Sequence, residues 1–367
     1  MKILFHLNCL ERGGAERVVS TLANTMVAEG HQVIIATEWI GDNEYEIDNR
    51  IQRIMVGPKG TDAGKGRMVI AGLRVKYLKE CIKEQKPDVT IAFARKAGYR
   101  LLMANRFNTI PTIISVRINP VGAYDGRMDK IMIPLLYPRA DGCVFQTEKI
   151  KEWFPDYLQK KSCIIFNPVN DKYLTAKRVD NPKKSIVNSS RIVDFKNQKL
   201  LVEAFSDINK KYPEYELYFY GGDSKDGTWE DLEATIDREN LIGKVHLCGE
   251  HDDLEELIPQ HEIYVLSSNE EGMPNALLEA MTMGMPVIST DCAGGGARAV
   301  IDDGVNGLLV PVCDRTAMAE AILKLIENKD FASNLASEAA KLRESLSTDK
   351  IIDQWLDYIE LVIACRK

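Results

Sequence analysis

The chain has 367 residues, of which 45% are hydrophobic and 28% charged, a composition typical of a soluble globular protein. This length exceeds what one hydrophobic core serves, so we expect two domains. No run approaches the roughly 20 apolar residues of a membrane-spanning helix, and residues 1–14 are typical of a strand and turn rather than of a signal peptide. We therefore expect a cytoplasmic protein.

Charge and ligand-forming residues narrow the range of partners. Residues 1–170 carry a net charge of +7 and residues 171–367 a net charge of −14, so that the total is −7. The basic first part indicates either an anionic partner or an ordinary solvated surface, and we expect no nucleic-acid partner. The eight cysteines form no C-x-x-C pair and the histidines lack ligand spacing, so we predict no disulfides, no metal site and no cofactor.

Short β-rich runs alternate with helical patterns along the first half of the chain. This order predicts repeated βαβ units, and hence a parallel sheet with helices on both faces. The predicted strands are at residues 2–7, 32–37, 52–56, 89–94, 112–116, 142–147 and 163–166.

The alternation pauses at residues 167–182 and then resumes. Two doubly wound α/β units in tandem fit this pattern best. A helical tail follows, in which apolar residues recur at helical spacing from Ile351 to Val362. The second set of predicted strands is at residues 184–190, 215–222, 244–249, 263–268, 286–290 and 307–311.

A glycine pair, Gly13 and Gly14, follows the first strand directly. Two glycines let the backbone approach a ligand closely, and the amides that begin the next helix suit an anion. With Glu38 at the end of the second strand, this could be half of a dinucleotide site, although the third glycine of G-x-G-x-x-G is missing. A purely structural turn is the alternative.

Two basic residues follow the first strand of the second half. Arg191 and Lys196 lie where they could converge on a diphosphate and neutralise charge that a metal otherwise would. An ordinary surface position is the alternative for each.

A pair of carboxylates follows the strand at residues 263–268. Glu271 is predicted on a loop, and Glu279 about one turn inside the helix that begins near Asn275. The amides at the start of that helix suit phosphate oxygens. The Glu279 carboxylate suits vicinal hydroxyls, such as those of a ribose. Two carboxylates could also serve a hydrolase, but the nearby basic residues favour phosphate binding. A glycine turn at residues 294–296 could form a further wall of the site for the sugar or the diphosphate.

These motifs resemble family 4 of the retaining glycosyltransferases over essentially the whole chain. The resemblance is carried by GGAER, SRIVDFKNQ, EEGMPNALLEAMTMGMPVIST and DGVNGLLV. It implies a GT-B fold, with two Rossmann-like doubly wound parallel-sheet domains that face each other across a cleft. It further implies an acceptor-binding domain at 1–170, a nucleotide-sugar domain at 171–348, and a last helix, 349–367, that crosses back to the first domain.

The resemblance also implies roles for individual residues. Arg191 and Lys196 would hold the donor diphosphate, Glu279 the ribose, and Glu271 the hydroxyls of the transferred sugar. Gly14 would let the first domain close over the phosphates. The implied donor site consists of Gly13, Gly14, Arg191, Lys196, Gly249, Glu250, His251, Glu271, Gly272, Met273, Pro274, Asn275, Ala276 and Glu279, of which Arg191, Lys196 and Glu271 are the predicted catalytic residues.

One position departs from the common family pattern. Many relatives have a histidine just after the fifth strand of the first domain, whereas this chain has Arg117, followed by Asn119. Subgroups that act on lipid-linked oligosaccharides look similar to this version, so Arg117 and Asn119 are predicted to bind the acceptor. Since no covalent nucleophile is evident, we expect same-face attack, in which stabilisation of the leaving diphosphate is the main catalytic effect.

A membrane contact is a separate hypothesis. In the helix predicted around residues 67–86, Lys76, Lys79, Lys83 and Lys86 fall on one face, opposite Ile70, Leu78 and Cys81. Such a basic face could lie on anionic lipid at the inner side of the cytoplasmic membrane, or be an ordinary surface.

The sequence therefore predicts a metal-independent retaining transferase. It would move a hexose or N-acetylhexosamine from a UDP-sugar to a glycan acceptor linked to polyprenyl diphosphate. The alternatives are a GDP-sugar transferase with a soluble acceptor, a non-catalytic sugar-nucleotide-binding partner of a glycan assembly complex, and a dehydrogenase that binds NAD at Gly13 and Gly14.

Overall fold

The computed structural model describes residues 1–11, 13–107 and 110–366. Its chain divides into two units, one formed by residues 1–168 with 348–367 and the other by residues 169–347. The predicted boundaries, after residues 170 and 348, lie within two residues of these.

A parallel sheet forms the centre of the first unit. In the described part of the chain its strand order is β3-β2-β1-β4-β5-β6-β7, so the order reverses between β1 and β4. The strands are β1 (Lys2–His6), β2 (Gln32–Thr37), β3 (Gln52–Met55), β4 (Val89–Phe93), β5 (Thr112–Ser115), β6 (Gly142–Phe145) and β7 (Ser162–Ile164). The helices are α1 (Gly14–Ala28), α2 (Arg67–Gln85), α3 (Arg95–Ala104), the single turn α4 (Pro120–Ala123), α5 (Asp129–Leu136), α6 (Glu148–Glu152) and α7 (Asp156–Gln159).

Both faces of this sheet are buried, which explains why its strands are apolar without strict alternation. In β1, Ile3 and Phe5 pack in a core with α1, whereas Leu4 points to the opposite face and packs with α2 and α3. Successive side chains of one strand thus serve two different cores. This requirement for cover on both faces makes the unit doubly wound.

The second unit repeats the plan. Its strand order within the described residues is β10-β9-β8-β11-β12-β13, which reverses between β8 and β11. The parallel strands are β8 (Lys183–Ser189), β9 (Glu216–Tyr220), β10 (Val245–Gly249), β11 (His261–Leu266), β12 (Val287–Thr290) and β13 (Leu308–Val310). The helices are α8 (Asp171–Thr175), α9 (Gln198–Lys211), α10 (Thr228–Arg238), α11 (Leu254–Leu257), α12 (Asn275–Thr282), α13 (Arg315–Glu327), α14 (Lys329–Ala340) and α15 (Leu342–Ser345).

The last helix, α16 (Thr348–Ala364), belongs to the first unit. Its apolar stripe is buried in the same core as Ile3 and Phe5, with Trp355 stacked 5.6 Å from the ring of Phe93. The Tyr358 hydroxyl accepts a hydrogen bond from the Cys143 amide at 2.8 Å and donates to the Lys161 carbonyl at 2.6 Å. Taken over the described ranges, none of the helices has both the length and the hydropathy needed to cross a bilayer.

The Tyr358 hydroxyl is expected to be a measurable part of the stability of the first unit. Tyr358→Phe removes the hydroxyl, and the Cys143 amide keeps only its 3.2 Å bond to the Lys161 carbonyl. We therefore expect a loss of about 0.5–1.5 kcal/mol in the free energy of unfolding, measured by urea denaturation. Leu361→Ala, at an exposed position of the same helix, is the matched control and should change it by less than about 0.5 kcal/mol. Equal stabilities of Tyr358→Phe and the wild type would show that α16 does not depend on this bond.

Candidate active site

The strand order of the second unit determines where a ligand can bind. In open parallel sheets, ligands bind outside the carboxyl ends of the strands, where the strand order reverses. In this unit that point lies between β8 and β11. The loop after β8 carries Arg191 and Lys196, and the loop after β11 carries Glu271. The topology therefore brings these three predicted site residues to the same edge of the sheet.

An ion pair joins the two loops. Lys196 Nζ lies 2.5 Å from Glu271 Oε1, and the same carboxylate oxygen accepts a hydrogen bond from Ser268 Oγ at 2.7 Å. The Lys196 and Glu271 side chains are only 17% and 11% exposed. A charge pair so enclosed interacts more strongly than one in open solvent, and removal of one partner leaves the other charge uncompensated.

Backbone hydrogen bonds hold the two loops in register with each other. The Asn269 amide donates to the Phe195 carbonyl at 2.8 Å, and Ser267 Oγ donates to the Lys196 carbonyl at 3.1 Å. Asn197, which has a φ of +48°, begins α9 and donates from Nδ2 to Asn269 Oδ1 at 2.9 Å. The position of the ammonium relative to the carboxylate is therefore fixed by the main chain as well as by charge.

Arg191 is exposed, in contrast to Lys196. Within the described ranges its guanidinium forms neither a hydrogen bond nor an ion pair with another side chain, whereas its carbonyl accepts from Gln198 Nε2 at 2.9 Å. A Cβ added at Gly221 would lie 1.9 Å from the Ser190 carbonyl oxygen, so only glycine fits beside this loop. Sequence reasoning missed Gly221, although two glycines at the end of a strand were a usable signal.

Glu279 lies one turn inside α12 and is 2% exposed. Burial raises the pKa of the Tyr264 phenol, and the charges of Glu279 and Glu271 act in the same direction. No side chain caps the start of α12 at Pro274. The structure therefore brings both glutamates and the start of this helix together, while the assignment of Glu279 to a ribose stays a prediction.

Glycine also shapes the walls of the site. A Cβ at Gly296 would lie 1.9 Å from the Gly272 carbonyl oxygen, so the glycine turn packs directly on the loop that begins α12. The residues from Gly272 to Ala276, which include Met273 and Asn275, span the end of that loop and the first turn of α12.

The predicted base-binding residues follow β10, next to β9 in the sheet. Gly249 has a φ of +76°. A Cβ at Gly222 would lie 2.4 Å from Glu250 Oε1, so the Glu250 side chain packs against the end of β9. The His251 ring lies edge-on to Tyr220 at 5.3 Å, with Nδ1 3.3 Å from Asp253. These residues lie at the same edge as Arg191, and their contact with a base stays a prediction.

The described residues contain no group of three or more histidine, cysteine, aspartate and glutamate side chains arranged to hold a metal ion. The expected independence of a metal ion stays a prediction.

In the first unit, Gly13 and Gly14 begin α1 without a side-chain cap. A Cβ at Gly13 would lie 2.4 Å from Glu16 Oε2, so the Glu16 carboxylate covers the glycine. A negative charge thus lies beside the first amides of α1. The predicted roles of Gly13 and Gly14 stay predictions.

Glu38 is not free to bind a ribose. Its side chain is 1% exposed and lies between Arg100 Nε at 2.6 Å and Arg74 Nε at 3.1 Å. Burial raises the pKa of Glu38. A dinucleotide site of the type considered for Gly13 and Gly14 needs a free carboxylate at this strand end, so the dehydrogenase alternative loses its supporting residue.

Arg117 is enclosed within the first unit. Its guanidinium lies 5.0 Å from the centre of the Phe93 ring and 5.5 Å from that of Trp355, and it donates to Asn167 Oδ1 at 2.8 Å. Burial lowers the pKa of Arg117 to about 9, since no carboxylate among the described residues pairs with it. The sequence could not reveal this enclosure, because Trp355 is supplied by the last helix.

Asn119 is buried, and its Oδ1 accepts from the Val121 amide at 3.2 Å, which caps α4. The loop after β5 thus holds both predicted acceptor residues in internal contacts, and their acceptor-binding role stays a prediction.

The four lysines of the membrane hypothesis are exposed, while Leu78 and Cys81 are buried. The proposed stripe differs in two respects from the prediction. Lys86 lies beyond the end of α2 with a φ of +48°, and the exposed Glu80 lies among the lysines, 3.8 Å from Lys76 Nζ. The acidic residue weakens the basic face, because it lies within the same stripe.

Comparison with known proteins agrees with this geometry. The model of Glycosyltransferase Family 4 matches residues 12–173, and that of Glycosyl transferases group 1 matches residues 183–328. The Campylobacter jejuni GalNAc-α-(1→4)-GalNAc-α-(1→3)-diNAcBac-PP-undecaprenol α-1,4-N-acetyl-D-galactosaminyltransferase is 25% identical over 98% of this chain and 98% of its own length.

Solved structures support the fold. Anabaena HepE in complex with UDP-glucose has a TM-score of 0.81 at 19% identity, over 98% of this chain and 99% of its own. The sucrose-phosphate synthase of Thermosynechococcus elongatus has a TM-score of 0.84 at 18% identity, over 99% of both chains. These likenesses confirm the predicted fold class, with two Rossmann-like units.

The enclosure of Arg117 has a consequence for stability. A buried cation without a counter-charge costs free energy, so Arg117→Met is expected to be neutral or to stabilise the protein by about 1–3 kcal/mol. Arg117→Ala should destabilise it, because it leaves a cavity beside Trp355. Urea denaturation measures both. A loss of more than about 1 kcal/mol in Arg117→Met would show that the aromatic contacts and hydrogen bonds outweigh the desolvation of the cation.

Proposed function

This chain belongs to glycosyltransferase family 4, and from that membership and the site geometry we propose a specific reaction for it. It is a retaining transferase that moves a hexose or N-acetylhexosamine from a UDP-sugar to a glycan acceptor carried on a polyprenyl diphosphate. The observation that carries the proposal is the enclosed Lys196–Glu271 ion pair at the point where the strand order reverses, with the exposed Arg191 on the same loop as Lys196.

The choice of donor and acceptor is supported by relatives. Anabaena HepE is described in complex with UDP-glucose, and the Campylobacter jejuni relative is named for transfer of N-acetyl-D-galactosamine to a glycan on PP-undecaprenol. The second of these matches nearly the full length of this chain. We therefore assign a uridine donor and a lipid-diphosphate acceptor, and place the reaction at the cytoplasmic face of a membrane.

The charges of the site fit a donor diphosphate. Arg191 offers a planar guanidinium with no side-chain partner in the described residues, and Lys196 offers an ammonium that an incoming diphosphate can take from Glu271. Two cations can balance the charge that forms on the leaving diphosphate, so the proposed mechanism needs no metal ion. Glu271, once released from Lys196, can accept hydrogen bonds from hydroxyls of the sugar.

The proposed chemistry is attack on the face that the diphosphate leaves. A bond forms between the acceptor hydroxyl oxygen and the anomeric carbon while the bond from that carbon to the phosphate oxygen breaks. The hydroxyl proton passes to an oxygen of the departing diphosphate. The new bond then has the anomeric configuration of the donor.

The donor assignment is tested by thermal unfolding in EDTA with UDP, GDP, ADP or NAD. UDP should raise the midpoint, since a ligand at a hundred times its dissociation constant adds about 2.7 kcal/mol to the native state. The Arg191→Ala, Lys196→Ala double variant should lose this response. Lys199→Ala, an exposed lysine on α9 that pairs with Asp231, is the matched control and should keep it.

The other outcomes separate the alternatives. A response to GDP alone would show that the donor base is guanine rather than uracil. A response to UDP without any transferase turnover would favour the non-catalytic sugar-nucleotide-binding partner, and silence from all four nucleotides in a folded protein would contradict the donor site. A response that requires added Mg²⁺ would contradict metal independence. NMR of the anomeric proton of the product tests retention, which an inverted product would exclude.

A further inference from the structure

Helix α5 presents an apolar ridge to solvent. The ridge consists of Met128, the residue just before the helix, and of Ile131 and Leu135 within it, which are 63%, 58% and 52% exposed. Their spacing of three and four residues places them in one row along the helix. Three large apolar side chains in an exposed row are unusual for a surface that meets only water.

The opposite face of α5 is fixed in the core, so the ridge cannot turn inward. Ile133 and Leu136 are buried, and the buried Asp129 lies 2.7 Å from Arg95 Nη1 and accepts from the Tyr99 hydroxyl at 2.8 Å. Rotation of the helix would expose this paired carboxylate and two core side chains. The ridge is therefore a stable feature of the outer surface.

The first unit exposes further apolar and aromatic side chains in neighbouring segments. Ile118 and Val121, in the segment after β5, are 49% and 52% exposed. Tyr157 donates to the Ile133 carbonyl at 3.4 Å, and the Trp153 ring lies 6.2 Å from that of Tyr124, so both aromatic residues border α5 and the segment before it. Tryptophan and tyrosine with one polar end suit the boundary between lipid and water.

Within residues 117–136 the exposed charges are mainly basic, whereas Glu152 and Asp156, next to Trp153 and Tyr157, are exposed acids. Arg127 and Lys130 are exposed, whereas Asp125, the one exposed acid in the described segment 117–136, is hydrogen-bonded through its carboxylate to the Gly122 amide at 2.8 Å. Cations next to exposed apolar side chains complement an anionic lipid surface, in which the apolar groups enter the headgroup region and the cations meet phosphates.

We propose that the α5 ridge, with its basic neighbours Arg127 and Lys130, is the surface by which this protein rests on an anionic phospholipid bilayer. This inference rests on the proposed function, since a lipid-linked acceptor is reached at such a surface. The ridge and the loop of Arg117 and Asn119 lie in the same segment of the first unit, between β5 and β6.

This surface differs from the lysine stripe of α2. Around Lys79 and Lys83 the large apolar side chains Leu78 and Ile82 are buried, so that part of α2 offers charge without an apolar group that can enter lipid. The two surfaces therefore make different predictions for variants.

The test is co-sedimentation of the full chain with phosphatidylglycerol vesicles, with phosphatidylcholine vesicles as the reference. The wild type should bind the anionic vesicles preferentially. Ile131→Asp, Leu135→Asp should weaken this binding by at least roughly tenfold, and Arg127→Gln, Lys130→Gln by roughly fivefold for each cation removed. Lys79→Gln, Lys83→Gln on α2 is the control of matched charge and should retain more of the binding than Arg127→Gln, Lys130→Gln.

The outcomes distinguish this proposal from the proposed function. All variants should keep the UDP-induced rise in unfolding midpoint, which shows that they are folded and that the donor site is intact. If the wild type responds to UDP but does not bind phosphatidylglycerol vesicles, the proposal for the ridge is wrong while the proposed function stands. Wild-type vesicle binding by the Ile131→Asp, Leu135→Asp variant would also overturn the proposal for the ridge. So would a concentration-dependent dimer in ultracentrifugation that this variant abolishes, because the ridge would then bind a second copy of the chain.

Discussion

The ion pair between Lys196 and Glu271 holds together the two loops on which the second unit depends. Each loop leaves the sheet at one side of the point where the strand order reverses. The pair satisfies two enclosed charges in the free protein, and Ser268 fixes the carboxylate that receives the ammonium. An anionic ligand can exchange for the carboxylate without any change of backbone, because hydrogen bonds between the loops already fix their positions.

The first unit has the same topology but uses its charges differently. Glu38, just after β2, is paired with two arginines, and the Arg117 guanidinium lies beside the stacked rings of Phe93 and Trp355. Both side chains are therefore occupied by contacts within the first unit and are not free to bind a nucleotide. Of the predicted site residues Arg117, Arg191 and Lys196, the one that is exposed, Arg191, belongs to the second unit. The two halves thus share one architecture and differ in which charges are free to meet a ligand.

Sequence patterns predicted those features that depend on neighbouring residues. Apolar runs and turns gave both parallel sheets, and the loop position of Glu271 and helical position of Glu279 followed from their distance to β11. The sequence patterns could not predict contacts between segments that are distant in the chain. The pairing of Lys196 with Glu271 joins residues 75 positions apart, and the enclosure of Arg117 requires Trp355 from the last helix. Such contacts depend on tertiary packing, which local periodicity does not encode.

The most direct test of the central claim is a double-mutant cycle with Lys196→Met, Glu271→Gln and both together. It measures turnover in EDTA of the UDP-hexose or UDP-N-acetylhexosamine that the wild type accepts. If the pair acts as one unit on the donor, each single change should lower kcat by roughly 10²–10³-fold. The double variant should then lose little more than the worse single variant. Losses that multiply, or a single variant with wild-type turnover, would contradict the account.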